Sequence, residues 1–197
     1  MTERELKFMI DGEEAFGRCL SALRELCGNG VVRLQTNYYY DTPKRDLHKA
    51  GITLRIRQNG ERLQGQIKRH DNGLSSKSEE SYFLVSELPK YLEFEGKKAK
   101  LLGSLTTQRH CFEWRGCEID LDANHYLGNN DFELEIEYPE GGFDVASGIA
   151  KMLSASVNLA SGRGGKYSRF LRALKRCAGQ SLDVEAVNPD GELKETM

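Results

Sequence analysis

Hydrophobic and polar residues alternate one by one along much of this chain, beginning at its start. In ERELKFMI, residues 3–10, Glu3, Glu5 and Lys7 share one side of an extended strand, and Arg4, Leu6 and Phe8 take the other. The period then lengthens. EEAFGRCLSALREL, residues 13–26, places Phe16, Leu20, Leu23 and the following Cys27 at helical spacing despite Gly17, and Gly28-Asn29-Gly30 stops it. RLQTNYYYDTP, 33–43, predicts a strand ending in a proline turn. Asn59-Gly60 predicts a hairpin with arms at 52–58 and 61–69. HDNGLSSKSEES predicts a polar loop, and YFLVSELP after it has local structure of unassigned type. Leu92, Ala99, Leu102 and Leu105 predict a helix over 91–105. Residues 107–141 predict three strands, punctuated at 115–116, 126–130 and 139–142. Val145, Ile149, Met152 and Leu153 predict a helix over 143–159. KYSRFLRALKRC, 166–177, predicts a last helix with Phe170, Leu171 and Leu174 buried, and the final residues are expected to fray. Hairpins dominate over β-α-β units, which favours an antiparallel sheet or closed barrel over a Rossmann fold.

The opening alternation recurs with charge on one face. In ITLRIR, Arg55 and Arg57 oppose Leu54 and Ile56. In RLQGQIKR, Gln64, Gln66 and Lys68 oppose Leu63, Gly65 and Ile67. Arg109, Glu113 and Arg115 oppose His110, Phe112 and Trp114. Asp120 and Asp122 oppose Ile119 and Leu121; Glu133, Glu135 and Glu137 oppose Phe132, Leu134, Ile136 and Tyr138. A small barrel normally turns apolar side chains inward. Here helices packed on the apolar outer face would leave the charges lining a central cavity. A flat sheet with one solvated face satisfies the same pattern.

Composition sets limits on the class. The chain has 197 residues, 39% hydrophobic and 29% charged, which suits one domain with a sizeable core rather than a disordered chain. No apolar run is long enough to span a membrane, and Glu3, Arg4, Glu5 and Lys7 stand where a signal segment would be apolar, so a cytoplasmic protein is expected. Cys19, Cys27, Cys111, Cys117 and Cys177 are odd in number and show no Cys-x-x-Cys spacing, so packing is the expected role for those in helices. The formal charge of -2 argues against nonspecific nucleic-acid binding but does not exclude a concentrated positive interior.

The proposed inner face carries Glu3, Glu5, Asp120, Asp122, Glu133, Glu135 and Glu137 as acids, and Lys7, Arg55, Arg57, Lys68 and Arg109 as bases. The last helix adds Lys166 and Arg169. Burying unpaired charge costs several kcal/mol per ion, so such a face must be wet, internally paired, or filled by a charged ligand and a metal. Arginine and lysine hold phosphoryl groups, and clustered carboxylates need a cation between them. Together they point to a metal-chelated polyphosphate and to hydrolysis of a phosphoanhydride bond. No Ser-His-Asp or Cys-His arrangement suggests a covalent nucleophile.

Glu3, Glu5 and Lys7 spell the ExExK signature of the CYTH superfamily, the triphosphate tunnel metalloenzymes. NYYYDTP at 37–43, LRIR at 54–57, IK at 67–68, EIDLD at 118–122, FELEIE at 132–137 and KYSRF at 166–170 follow in the family's order. The resemblance covers about residues 1–176, leaving 177–197 as a C-terminal tail, and the wording is most similar to the bacterial YjbK-like group. It implies an α+β fold: a closed eight-stranded antiparallel β-barrel, the triphosphate tunnel, with helices packed outside. By the same resemblance Glu3, Glu5, Glu133 and Glu135 are metal ligands, with Glu137 a further candidate, and Asp120 and Asp122 support a second cation or orient the bases. Lys7, Arg55, Arg57, Lys68 and Arg109 hold phosphate, and Lys166 and Arg169 close one end of the tunnel. Glu3, Glu5, Lys7 and Glu135 are the catalytic candidates.

The implied activity is metal-dependent cleavage of inorganic triphosphate with Mg²⁺ or Mn²⁺. Thiamine, nucleoside or RNA 5′-triphosphate hydrolysis, class IV adenylate cyclisation and polyphosphate binding without turnover are the alternatives. The outward phase of Trp114 favours the small inorganic anion. Glu79 and Glu80 divide between a tunnel and a surface role, Tyr38–Tyr40 read as packing and rim residues, and Asp41-Thr42-Pro43 reads as a turn. The partner expected is a triphosphate-containing small molecule, with neither membrane nor nucleic acid, bound by a monomer or homodimer.

Overall fold

The structure is a computed structural model and describes residues 4–70, 78–161 and 164–180. In chain order it comprises β1 (Glu5–Ile10), α1 (Gly12–Cys27), β2 (Val31–Asp41), α2 (Asp46–Lys49), β3 (Ile52–Asn59) and β4 (Arg62–His70). Then follow β5 (Ser78–Leu84), β6 (Tyr91–Phe94), β7 (Lys97–Trp114), β8 (Cys117–Tyr126), β9 (Asn129–Glu137), α3 (Phe143–Leu153), β10 (Leu159–Ser161) and α4 (Lys166–Gln180). The expected boundary at 176/177 falls inside α4, and the rest of the tail lies outside the described residues.

All strands join one antiparallel ten-stranded sheet in the order β10-β1-β9-β8-β7-β2-β3-β4-β5, with β6 paired to β7 off this path. The α+β class and antiparallel sheet stand. The strand number does not: β6 and β10 join the eight that the family resemblance implies. Both are too short to show a period. The closed barrel does not appear as hydrogen bonding either. Among the described residues no hydrogen-bonded ladder joins β5 back to β1 or β10.

The expected helix over 91–105 is the β6–β7 hairpin. Glu95 and Gly96 both take positive φ, 49° and 70°, the two-residue turn whose twist matches a hairpin, and Phe94 pairs with Lys97 across it. The helical spacing of Leu92, Ala99, Leu102 and Leu105 is overridden by the pairing of β7 with β2 along Val31–Asp41. β5 takes Ser78–Ser81 from the end of the expected polar loop and Tyr82–Leu84 from the unassigned stretch, whose remainder, 85–89, is not strand. The helix expected to reach 159 stops at Leu153, and β10 follows.

Period-two alternation sends Ile119, Leu121, Leu134 and Ile136 to the outer face. There they bury completely beneath Cys19 and Leu23 of α1 and Ala146 and Ile149 of α3. Full burial of such an aliphatic side chain stabilises by about 1.5–3 kcal/mol. A second outer cluster joins Leu54 and Ile56 of β3 to Tyr40 and to Leu47 of α2.

The last helix departs from the expectation that helices lie outside. Tyr167, Phe170 and Ala173 of α4 pack on Tyr39, Leu105 and Tyr126, which stand on the inner face with the charges. Gly103, at φ 148°, makes room: a Cβ there would meet the Phe170 ring at 3.0 Å. Asp41 fastens the same helix. Its buried carboxylate accepts from the amides of Thr42, Leu47 and His48, and from the Tyr167 hydroxyl at 2.8 Å. The turn read at 41–43 is therefore also an anchor for α4.

Candidate active site

The inner face has an acidic side built by β1, β8 and β9. Cross-strand pairing sets Lys7 beside Glu135, Glu135 beside Asp120, and Glu133 beside Asp122, which in turn faces Arg109 of β7. One oxygen each from Asp122, Glu133 and Glu135 lie within 4.8 Å of one another, and all three residues are buried. These residues meet because their neighbours Leu121, Leu134 and Ile136 are committed to the helix-covered face.

Cations enter this acidic group from three elements. Arg109 forks onto Asp122, Nε to Oδ1 at 2.8 Å and Nη2 to Oδ2 at 2.7 Å, reaches Glu135 Oε2 at 2.7 Å, and contacts Asp120 through Nη1. Lys7 Nζ lies 2.8 Å from Glu135 and 3.2 Å from Glu5. Lys166, the first residue of α4, places its ammonium among the three clustered carboxylates: 2.8 Å from Asp122, 3.2 Å from Glu135, and against Glu133. One turn on, Arg169 donates to Glu133 at 2.8 Å and to both oxygens of Asp131. Asn124 also donates to Asp131, and Thr107 donates to Asn124.

Burial alone would raise the Glu135 carboxyl, but Lys166, Lys7 and Arg109 outweigh it and hold it well below the usual range. Lys166 goes the other way. Burial lowers an ammonium, yet Asp122, Glu133 and Glu135 overcome that and raise it. Asp120 is pushed up by burial against the pull of Arg109. Burial and Asp120 likewise push the nearby Cys111 thiol up to about 11, so it supplies no thiolate at neutral pH.

The basic side, on β3 and β4, is built differently. Arg55 Nε donates to Gln66 Oε1 at 2.8 Å, and Arg57 Nε to Asn37 Oδ1 at 3.1 Å. Among the described residues no carboxylate lies within ion-pair distance of either guanidinium. Burial, then Arg55 and Arg109, pull Arg57 down to about 9, against a weaker opposing pull from Glu80, so it remains charged at neutral pH. Lys68 is paired with Glu80 at 3.2 Å, which places Glu80 on the inner face. The side chain of Glu79 lies outside the described residues.

The structure thus gathers Glu5, Lys7, Arg109, Asp120, Asp122, Glu133, Glu135, Lys166 and Arg169 in one network. It places Arg55, Arg57 and Lys68 on a separate wall. Glu137 pairs across from Glu5 and Glu118 and stands outside the three-carboxylate cluster. Glu3 lies outside the described residues. Sequence reasoning missed Asp131, although it shares the phase of Glu133 and Glu135. It also missed Asn37, whose role depends on a cross-strand partner. His110 turns outward, as its phase requires, and packs against Phe16.

An antiparallel sheet with a split-charge inner face and a basic helix over one part of it defines an α+β domain with a charged interior. The particular family follows from comparison: the CYTH domain matches residues 1–170, and the chain belongs to that family. No curated protein matches it. A Bacillus halodurans protein provisionally assigned as an adenylate cyclase is 24% identical with a TM-score of 0.66, covering 85% of this chain and 96% of its own. A Hippeastrum protein, provisionally an adenylyl cyclase but with a dominant triphosphatase activity, is 19% identical at TM-score 0.69, with 87% and 96% covered. The RNA triphosphatase domain of a mimivirus mRNA capping enzyme is 10% identical at TM-score 0.51, with 78% and 89% covered. These are likenesses of fold. Among the described residues no helix is long and apolar enough to cross a membrane.

Proposed function

We propose that this chain is a metal-dependent phosphohydrolase that cleaves inorganic triphosphate to diphosphate and phosphate. One observation carries the reading. The inner face sets a carboxylate cluster that holds a cation opposite two arginines that, among the described residues, have no carboxylate within ion-pair distance. A triphosphate chain carrying a divalent ion matches both needs. The triphosphatase activity in the Hippeastrum protein and the mimivirus domain supports it.

The donor set fits Mg²⁺ or Mn²⁺. Asp122, Glu133 and Glu135 offer hard oxygens that already surround a compact cation, the Lys166 ammonium. Glu5 and Asp120 flank them, and Glu3 and Glu137 extend the candidate set. When bound there, the metal would neutralise phosphate oxygens and ease ionisation of water. Arg55, Arg57 and Lys68 grip the phosphate chain. Lys7 and Arg109 take up charge as the terminal P–O bond breaks toward diphosphate. Glu135, held ionised by its cations, orients the attacking water, with Glu3, Glu5 and Lys7 completing the catalytic group. Lys166 vacates the carboxylates and, with Arg169, closes the site over the terminal phosphoryl group. The domain, residues 1–176, works in the cytoplasm as a monomer or homodimer.

A second reading has its own observation. Tyr82 is 56% exposed and stands on the inner phase of β5, paired across from Gln66. It offers a ring for the organic part of a thiamine, nucleoside or RNA 5′-triphosphate, or of ATP bound for cyclisation. Phosphate release from inorganic triphosphate, ATP and thiamine triphosphate, each with EDTA, Mg²⁺ or Mn²⁺, tests both. Preferred metal-dependent cleavage of the inorganic anion supports the first reading. Preference for an organic triphosphate supports the second, cyclic AMP from ATP identifies a cyclase, and binding without turnover identifies a non-catalytic module.

A further inference from the structure

Strand β2 carries three polar residues on the inner face, Gln35, Asn37 and Tyr39. They lie between β7 on one side and the arginines of β3 on the other. Their relative exposures are 6%, 0% and 0%, so water has little access to them. Each nonetheless has a polar atom without a partner: Gln35 Nε2, Asn37 Nδ2 and the Tyr39 hydroxyl. Buried donors are rarely left in this state, and here three follow one another on one strand face. The Asn37 amide is not simply turned the wrong way. Its Oδ1 accepts from Arg57 Nε, so a flip would set two donors against each other. Tyr39 is held by stacking on Tyr167 at 4.7 Å between centroids, and Asn37 pairs across from Arg57.

We infer that Gln35, Asn37 and Tyr39 form an uncharged third wall of the anion site, whose donors receive phosphoryl oxygens of the chain held by Arg55 and Arg57. This rests on the triphosphate reading above and extends it from charge to hydrogen-bond type. The two amide nitrogens can only donate. Burial pushes the Tyr39 hydroxyl up against the pull of Arg55, Lys166 and Arg57, so it too stays protonated and able to donate. A wall of this kind favours an ionised phosphoryl oxygen, the stronger acceptor, over a protonated one or a ligand group that presents only N–H donors. It adds hydrogen-bond donors without adding charge.

Binding of inorganic tripolyphosphate by calorimetry in EDTA, together with the Tm of the unliganded protein, tests the wall without any turnover. Gln35→Met and Tyr39→Phe remove a donor and keep the shape. Each is expected to weaken tripolyphosphate binding about tenfold, or about 1.4 kcal/mol, while the unliganded Tm holds or rises because an unsatisfied buried group is gone. Arg57→Ala, measured in parallel, keeps the two proposals apart. If Arg57→Ala weakens binding but both wall variants bind within about twofold of the parent, the uncharged wall is overturned and the triphosphate site stands. If Arg57→Ala also leaves binding unchanged, the site reading itself fails, and the wall with it. Affinity lost together with a lowered unliganded Tm assigns the residues to packing or to bridging water and overturns the inference.

Discussion

The acidic and basic sides of the inner face solve the problem of buried charge in opposite ways. On β1, β8 and β9 the carboxylates receive cations from within the chain: Lys7, Arg109, Lys166 and Arg169. On β3, Arg55 and Arg57 donate, among the described residues, to amide oxygens and to no carboxylate. A neutral acceptor satisfies the geometry of a guanidinium but not its charge. Among the described residues one wall is therefore paired within the chain, while the two arginines of the other have no carboxylate at ion-pair distance, which under the proposed function leaves them for an anion.

Substitutions can break that contrast. The largest effect is expected at Arg109. Arg109→Ala strands Asp122 and Glu135 without a principal partner and should cost about 3–5 kcal/mol of stability; urea unfolding checks it. A stable Arg109→Ala protein would show that the acidic side does not depend on internal pairing. Next is Glu133→Gln. Under the proposed function it should lose roughly a hundredfold in Mn²⁺-dependent kcat/KM, about 2.7 kcal/mol of transition-state stabilisation, and Mn²⁺ binding followed by electron paramagnetic resonance should weaken in step. Arg57→Ala should show the reverse of Arg109→Ala. Its stability should stay within about 1 kcal/mol of the parent, while triphosphate affinity falls by about 1.5–3 kcal/mol, the worth of a charge-assisted hydrogen bond. Equal stability losses at the two arginines would erase the distinction between the walls.

The smallest expected effect concerns pH. The Glu135 carboxyl is held below its ordinary value of 4.5 in the folded protein. Its contribution to stability is therefore complete above that value and is lost as pH falls through the lower folded pKa. Thermal unfolding between pH 6 and pH 2 should show a decline on the acid side that Glu135→Gln makes shallower. Parallel profiles for the two proteins would remove Glu135 from the ion-pair account.

Much of this arrangement is legible in the sequence because it obeys a period of two. DFELEIE alone announces which β9 side chains share a face, and EIDLD does the same for β8. The β3–β4 hairpin and helix α1 carry their own turn and stop signals. What escapes depends on distant partners. The β6–β7 hairpin hides behind a chance helical spacing, and its Glu95-Gly96 turn is a weaker signal than Asn59-Gly60. The orientation of the Asn37 amide, which leaves its Nδ2 unpartnered, depends on Arg57 occupying its oxygen from the neighbouring strand. The inward seat of α4 rests on Gly103, Asp41 and Tyr167, which lie far apart in the chain. The period also announces a charged face, but it gives no hint that the charges divide into one satisfied wall and one waiting wall.

The position of Lys166 bears on how the protein comes into being. Zinc fingers and similar small metal domains stay unfolded until their ion arrives, because the free energy of metal binding is what folds them. Here the first residue of a helix lends its own positive head to the place where ligands gather. The carboxylates of the inner face are therefore neutralised within the chain itself, and under the proposed function the fold need not wait for a metal.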